Sequence, residues 1–371
     1  MNQQIKFLNL TAEHKDIQRQ LDKAILAAVH KGDYIQGEAV KDFENNLAEF
    51  LSVKHVITCA NGTDALQIAM MALGLKIGDE VIMPTFTYVA TAEAVAILGI
   101  KPIFIDVDPN TFTIDTHQIE SKITDKTKAI LPVHLFGQCA DMDEIIAIAK
   151  AHDLAVIEDT AQALGSSYKD NISGTIGDIG TTSFFPSKNL GAMGDGGAVF
   201  TNNSKLAKKI RMITQHGQSK KYHHNIIGLN SRLDTIQAVI LNIKLQYLEQ
   251  KIHRRQQHAS LYDTYLLDDN NIQLPLRNYD STHTFHQYSI KVEKDKRDFI
   301  RKRLYDKGID SMVYYPIPIH LQEAYQYLAY QAGDFPISEQ LCNELISLPI
   351  HPKLNSDDIS YISDCIKTSF S

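Results

Sequence analysis

The sequence predicts an α/β fold: a large unit built on a mostly parallel sheet between layers of helix, followed by a smaller C-terminal α/β unit. Three observations lead there. From about Val53 to Asn203, short β-rich runs alternate with helical segments. Those runs are continuously apolar rather than alternating, as strands buried on both faces are. The chain, at 371 residues, also exceeds one core of ordinary size, so it divides, with expected bounds 1–245 and 246–371.

The expected strands are His55-Val56-Ile57-Thr58, Glu80-Val81-Ile82-Met83, Pro102-Ile103-Phe104-Ile105-Asp106, Ala129-Ile130-Leu131-Pro132-Val133, Ala155-Val156-Ile157-Glu158 and Ala198-Val199-Phe200. Helices lie between them, for example Asp141 to His152, apolar at Met142, Ile145, Ile146, Ile148 and Ala149. Strands that alternate with helices in this way form βα units, and ligands of such sheets sit at the carboxyl ends of the strands. One long amphipathic helix is expected from about Arg232 to Leu266, leading out of the large unit. Beyond a polar loop (268–281) come a strand (287–292), a helix (295–307) stopped by Gly308, a strand near Ser311 to Tyr315, and two more helices.

Hydrophobic content of 44% and charged content of 22% are those of a globular protein. A net charge of −7 with scattered Lys and Arg argues against nucleic-acid and acidic-membrane partners. Cys59, Cys139, Cys342 and Cys365 form no Cys-x-x-Cys pair and read as reduced thiols, and no metal is expected. Ile5-Lys6-Phe7-Leu8 is too short for the apolar part of a signal peptide, so a cytoplasmic protein is expected.

Three motifs then fall at strand ends. Lys188 stands in Thr182-Ser183-Phe184-Phe185-Pro186-Ser187-Lys188-Asn189-Leu190-Gly191, after an apolar strand that ends Ile157-Glu158-Asp159. One lysine and one carboxylate, each leaving a buried strand, are what pyridoxal phosphate (PLP) requires. The amine condenses with the aldehyde, and the carboxylate keeps the pyridine nitrogen protonated so that the ring acts as an electron sink. Asn61-Gly62-Thr63-Asp64 leaves a strand and opens a helix, which makes an anion site from free N–H groups, with Thr63 able to cap. Gln162 lies three residues beyond Asp159, within reach of the ring's phenolic oxygen. Ser183 is placed to meet the phosphate from the other side, and Tyr88 to stack on the ring. Taken singly, each has a structural reading: a surface lysine, an Asn-Gly turn with an N-cap, an Asp capping the next helix, a core tyrosine.

Together, in order, Gly62-Thr63-Asp64-Ala65-Leu66, Glu158-Asp159-x-Ala161-Gln162, Ser183-Phe184-x-x-x-Lys188-x-Leu190-Gly191, Gly194-Asp195-Gly196-Gly197-Ala198 and Asn230-Ser231-Arg232-Leu233-Asp234 resemble the DegT/DnrJ/EryC1/StrS sugar aminotransferases. The resemblance implies the PLP-dependent aminotransferase fold type I, with Lys188 as Schiff-base lysine and proton shuttle. Asp159 would then pair with the ring nitrogen, Gln162 with its hydroxyl, and Gly62, Thr63 and Ser183 with the phosphate. It further implies a homodimer in which Asn230 reaches the neighbouring subunit's cofactor, and substrate contacts from Arg232, Tyr314, Tyr315 and His320. For Asn230 and Arg232 the residues alone read equally as helix capping and a surface ion pair. Strings such as Phe86-Thr87-Tyr88, Gly137-Gln138-Cys139 and Tyr222-His223-His224 look most like the members that move an amine from glutamate to C3 of a UDP-linked 3-oxo-uronate. The members acting on dTDP-linked 3-oxo-6-deoxy sugars share Tyr-His-His and Asn-Ser-Arg-Leu-Asp. Tyr314 departs from the pattern, which has His there. A cofactor-binding regulatory protein without turnover is the reading from another class, opposed by the intact Lys188–Asp159–Gln162 set.

Overall fold

The computed structural model describes residues 4–370, so the outermost positions of the two expected units, 1–3 and 371, lie outside the described residues. Strands β1 (His55–Cys59), β2 (Glu80–Pro84), β3 (Lys101–Ile105), β4 (Thr127–Ile130) and β5 (Ala155–Asp159) fall at the expected places. A short hairpin, β6 (Ser167–Tyr168) and β7 (Asn171–Ile172), precedes β8 (Ile179–Ser183) and β9 (Gly197–Thr201). The central sheet has the order β1-β9-β8-β5-β4-β2-β3, parallel throughout except for the two pairings of β9.

β8 was absent from the expected strands, because Ile179-Gly180-Thr181-Thr182-Ser183 carries one large apolar side chain. Packing and hydrogen bonds make it a buried strand nonetheless. A Cβ at Gly180 would stand 2.1 Å from the Gly174 carbonyl, and the Thr181 hydroxyl donates to the Glu158 carbonyl at 3.1 Å.

The helices of the first half are α1 (Leu10–Lys15), α2 (Gln18–Lys31), α3 (Glu38–Leu51), α4 (Gly62–Leu73), α5 (Ala90–Ile97), α6 (Met142–Ala151) and α7 (Ser204–Ile213). Successive strand residues face opposite layers. Val81, Met83, Phe104 and Ile157 pack with α4, α5 and α7, whereas Ile82, Ile103, Ile130 and Val156 pack with α6. Both sets must be apolar, which is why the runs do not alternate.

The expected long helix is two: α8 (Thr235–Leu245) and α9 (Leu248–Leu266). At the break, Tyr247 takes φ −110° and ψ 2°, and its hydroxyl accepts from Gln20 Nε2 of α2 at 2.9 Å. The bend lets α8 share cores with α2 and α3 while α9 turns into the C-terminal core. No Gly or Pro marks the place. Before α8 an exposed hairpin, β10 (Gln218–Lys220) and β11 (His223–His224), projects from the chain.

The C-terminal part holds an antiparallel sheet of β12 (Ile272–Gln273), β13 (Tyr288–Val292) and β14 (Leu345–Leu348), with α10 (Lys294–Asp306), α11 (Pro336–Glu344) and α12 (Ser356–Lys367). Gly308 follows α10 with φ +76°, as expected. The expected strand at 311–315 is not one: Met312 alone bridges to Ser347, and the chain then turns Tyr314 and Tyr315 toward other aromatic rings. Tyr262, Tyr288, Ile300, Ile346 and Ile362 form this second core. Ile5 joins it by bonds to the backbone of Gly308 and Asp310, so the start of the chain packs with its end. No helix among the described residues is long and apolar enough to cross a membrane.

Candidate active site

At the carboxyl end of β1 the chain turns through Asn61 into α4. The cap expected of Thr63 belongs to Asn61, whose Oδ1 accepts from the Asp64 N–H at 2.8 Å, because Thr63 already lies inside the first turn. The first N–H groups of a helix have no acceptor within it, so those of Gly62 and Thr63 face outward. A Cβ on Gly62 would come within 2.6 Å of Ser183 Cβ. The start of α4 and the end of β8 therefore meet, bringing Gly62, Thr63 and Ser183 to one place. Backbone donors, a hydroxyl and a positive helix end suit a phosphate.

Asp159 ends β5, which neighbours β8 in the sheet. Asp159 is 6% exposed, and its carboxylate accepts from the Ala161 N–H at 3.0 Å and the Thr91 hydroxyl at 3.1 Å. Burial pushes its pKa up, while these donors and the Lys188 charge act against that. Lys188 follows β8 in a loop. Burial holds its ammonium down to about 8, with the Asp159 carboxylate pulling the other way. Gln162 is held at both ends: Oε1 accepts from the Phe136 N–H at 2.8 Å, and Nε2 donates to the Tyr315 hydroxyl at 2.9 Å.

The remaining aromatic residues gather around Tyr315. Its ring lies 6.1 Å from those of Phe86 and Tyr88 and 5.5 Å from that of Tyr314. Tyr88, in the turn between β2 and α5, is 56% exposed and free to meet a ring. Burial raises the pKa of Tyr315, so it stays a neutral hydroxyl. His320 differs from its expected role as a substrate contact. It is 1% exposed, Nδ1 lies 2.9 Å from the Thr85 hydroxyl and Nε2 lies 3.2 Å from Glu339. With both ring nitrogens engaged, it pins the 319–321 turn to the end of β2.

Asn230 and Arg232 flank Ser231, which is fully buried. The Ser231 hydroxyl accepts from the Ala60 N–H at 3.0 Å and donates to Asp64 at 2.5 Å, tying this segment to the start of α4. Asn230 is exposed and Arg232 half-buried, and among the described residues Arg232 makes no ion pair. Sequence reasoning missed Asn61 and Ser231 as the posts of the phosphate cradle. The Asn-Gly pair was the only signal for the first, and the second had none.

A phosphate cradle, a buried carboxylate and a lysine of lowered pKa, gathered at the carboxyl ends of β1, β5 and β8, fit PLP. The model of the DegT/DnrJ/EryC1/StrS aminotransferase family matches residues 15–367. The UDP-2-acetamido-2-deoxy-3-oxo-D-glucuronate aminotransferase of Pseudomonas aeruginosa is 45% identical over 96% of this chain and 98% of its own. A pleiotropic regulatory protein of Geobacillus stearothermophilus is 43% identical (98% and 97% covered). The dTDP-3-amino-3,6-dideoxy-alpha-D-galactopyranose transaminase of Aneurinibacillus thermoaerophilus is 40% identical (98% of each). Among solved structures, a DegT DnrJ EryC1 StrS aminotransferase from Brucella abortus superposes with a TM-score of 0.94 at 41% identity, covering 98% of this chain and 99% of its own. NtdA from Bacillus subtilis, with bound cofactor PMP, superposes with a TM-score of 0.91 at 34% identity, covering 98% and 85%. The chain thus belongs to the DegT/DnrJ/EryC1/StrS aminotransferase family and is a PLP-dependent sugar aminotransferase.

Proposed function

We propose that this transaminase moves an amino group from glutamate to C3 of a UDP-linked 2-acetamido-2-deoxy-3-oxo-hexuronate, a precursor of surface polysaccharide such as O-antigen. It works in the cytoplasm as a homodimer with shared sites. The observation that carries the substrate is the 45% identity with the P. aeruginosa enzyme along nearly the whole chain.

PLP, when bound, supplies the electron sink that lets an amino acid release its Cα proton. Gly62, Thr63 and Ser183 would hold its phosphate, and Asp159 would keep a proton on its ring nitrogen. Gln162, fixed by Phe136, would meet its ring hydroxyl, and Tyr88 would stack on the ring. Lys188 Nζ would take up the proton that glutamate releases from Cα and return one in the sugar half-reaction. A group that titrates at about 8 suits this work near neutral pH.

Dimer formation is supported by apolar side chains left open beside the site. Phe185 is 53% and Met193 38% exposed on the segment that carries Lys188. Asn230, exposed, would then meet the partner's cofactor, and Arg232 the uronate carboxylate, which a planar guanidinium binds bidentately. The second reading, a dTDP- or UDP-linked keto-6-deoxyhexose aminated at C3 or C4, is favoured by the 40% identical dTDP-sugar transaminase.

Stopped-flow measurement of the two half-reactions with Arg232→Lys separates these readings. For a uronate substrate, the sugar half-reaction slows by about tenfold or more while the glutamate half-reaction holds. Equal loss in both halves, or preference for a neutral 6-deoxy sugar, favours the second reading.

A further inference from the structure

Lys244 is a cation where α8 should be apolar, 3% exposed among buried neighbours. Its Nζ donates to the Gly191 carbonyl and lies 3.1 Å from His14 Nε2 of α1. The carboxylate nearby belongs to another lysine: Glu13 of α1 pairs with Lys251 of α9 at 3.2 Å. Burial and the two lysine charges hold His14 down to about 4, so it meets Lys244 as a neutral acceptor. Buried cations are normally paired with a carboxylate. This one is spent on a backbone carbonyl instead.

Gly191 closes the loop that carries Lys188. The Ala192 N–H donates to the Phe184 carbonyl at 2.7 Å, and the Lys188 N–H to the Phe185 carbonyl at 2.8 Å. No side chain fits at Gly191, where a Cβ would stand 2.3 Å from the Pro186 carbonyl. The loop is therefore a tight ring, and Lys244 grips it from outside, three residues beyond Lys188.

We propose that Lys244 is a positioning residue for the amino transfer. Through the Gly191 carbonyl it fixes the 189–191 turn and so aims the Lys188 amine, with His14 of the N-terminal helix holding the Lys244 ammonium in place. The inference rests on Lys188 being the lysine that carries the cofactor. Small misplacement of a reacting group lowers the rate steeply while binding is little changed.

The test compares wild-type, Lys244→Met and His14→Leu holoenzymes. In Lys244→Met, the glutamate half-reaction slows between about tenfold and a hundredfold, with KM within about twofold. The pH midpoint of the bound cofactor's visible band, which reports on the Lys188 nitrogen, moves by about half a unit or more. His14→Leu moves both in the same direction, by less. Borohydride reduction and peptide mapping accompany each variant. Label on Lys188, with rate and midpoint unchanged in Lys244→Met, overturns the role of Lys244 alone. Should Lys244→Met not fold, an unchanged midpoint in His14→Leu overturns it. Label on any other lysine removes the Lys188 reading and this proposal with it.

Discussion

Glu158 and Asp159 are adjacent carboxylates with opposite fates. Side chains alternate along β5, so one must turn away from the site. Glu158 is fully buried, 2.9 Å from His134 Nε2, and accepts the N–H groups of Gly174, Ile176 and Gly177 at 2.7, 2.8 and 2.6 Å. It is a structural acid, while Asp159 faces Lys188. The lowered pKa of Lys188 has a testable sign. Capture of PLP by the apoenzyme needs the neutral amine, so its rate should climb about tenfold per pH unit at lower pH and flatten above about 8. A rate still climbing toward pH ~10 would mean that Lys188 titrates as an ordinary lysine. Between about 8 and the ordinary value of 10.5 the folded chain binds fewer protons at this group than the unfolded chain. Its contribution to stability therefore rises with pH across that window. Asp159 and Gln162 could be singled out in the sequence because they end and follow the apolar run of β5, whereas Lys188 was marked only by the Ser183-to-Gly191 string. His320 was not, since a string cannot show that Thr85 and Glu339 occupy both its nitrogens.

The phosphate cradle depends on the close approach of α4 and β8, and Gly62 alone permits it. Gly62→Ala forces a methyl to 2.6 Å from Ser183 Cβ, so PLP should bind about tenfold more weakly or worse, and the apoenzyme should also unfold at a lower temperature. Equilibrium titration with PLP checks this, and an unchanged Kd would mean that the phosphate lies elsewhere. At this scale the apolar strands β1 to β5 and β9 were readable from their runs. β8 was not, because its burial is satisfied by threonine hydroxyls and a glycine rather than by apolar side chains. The break between α8 and α9 was equally silent, since the apolar stripe runs on through a bend that Tyr247 and Gln20 hold from another helix. The turn at 311–315 looked like a strand because its aromatic residues suit one, but they pack on the site instead of pairing.

At the scale of the whole molecule, the proposed homodimer would complete each site with two chains. Co-folding Lys188→Ala with Asn230→Ala subunits places both lesions in one site of a mixed dimer and leaves the other intact, so inactive parents should recover roughly a quarter of wild-type turnover. No recovery would confine each site to one chain. The mostly parallel α/β class of the sheet and the order of the motifs were legible from sequence at this scale. The packing of Ile5 into the C-terminal core was not, because a single bridge to Ile309 leaves no periodic signal. The most direct test is to follow the visible band of the holoenzyme through one turnover. Glutamate should abolish the band, and a UDP-linked 2-acetamido-2-deoxy-3-oxo-hexuronate should restore it with release of the 3-amino sugar. A band that glutamate leaves unchanged would contradict amino transfer from glutamate by this site.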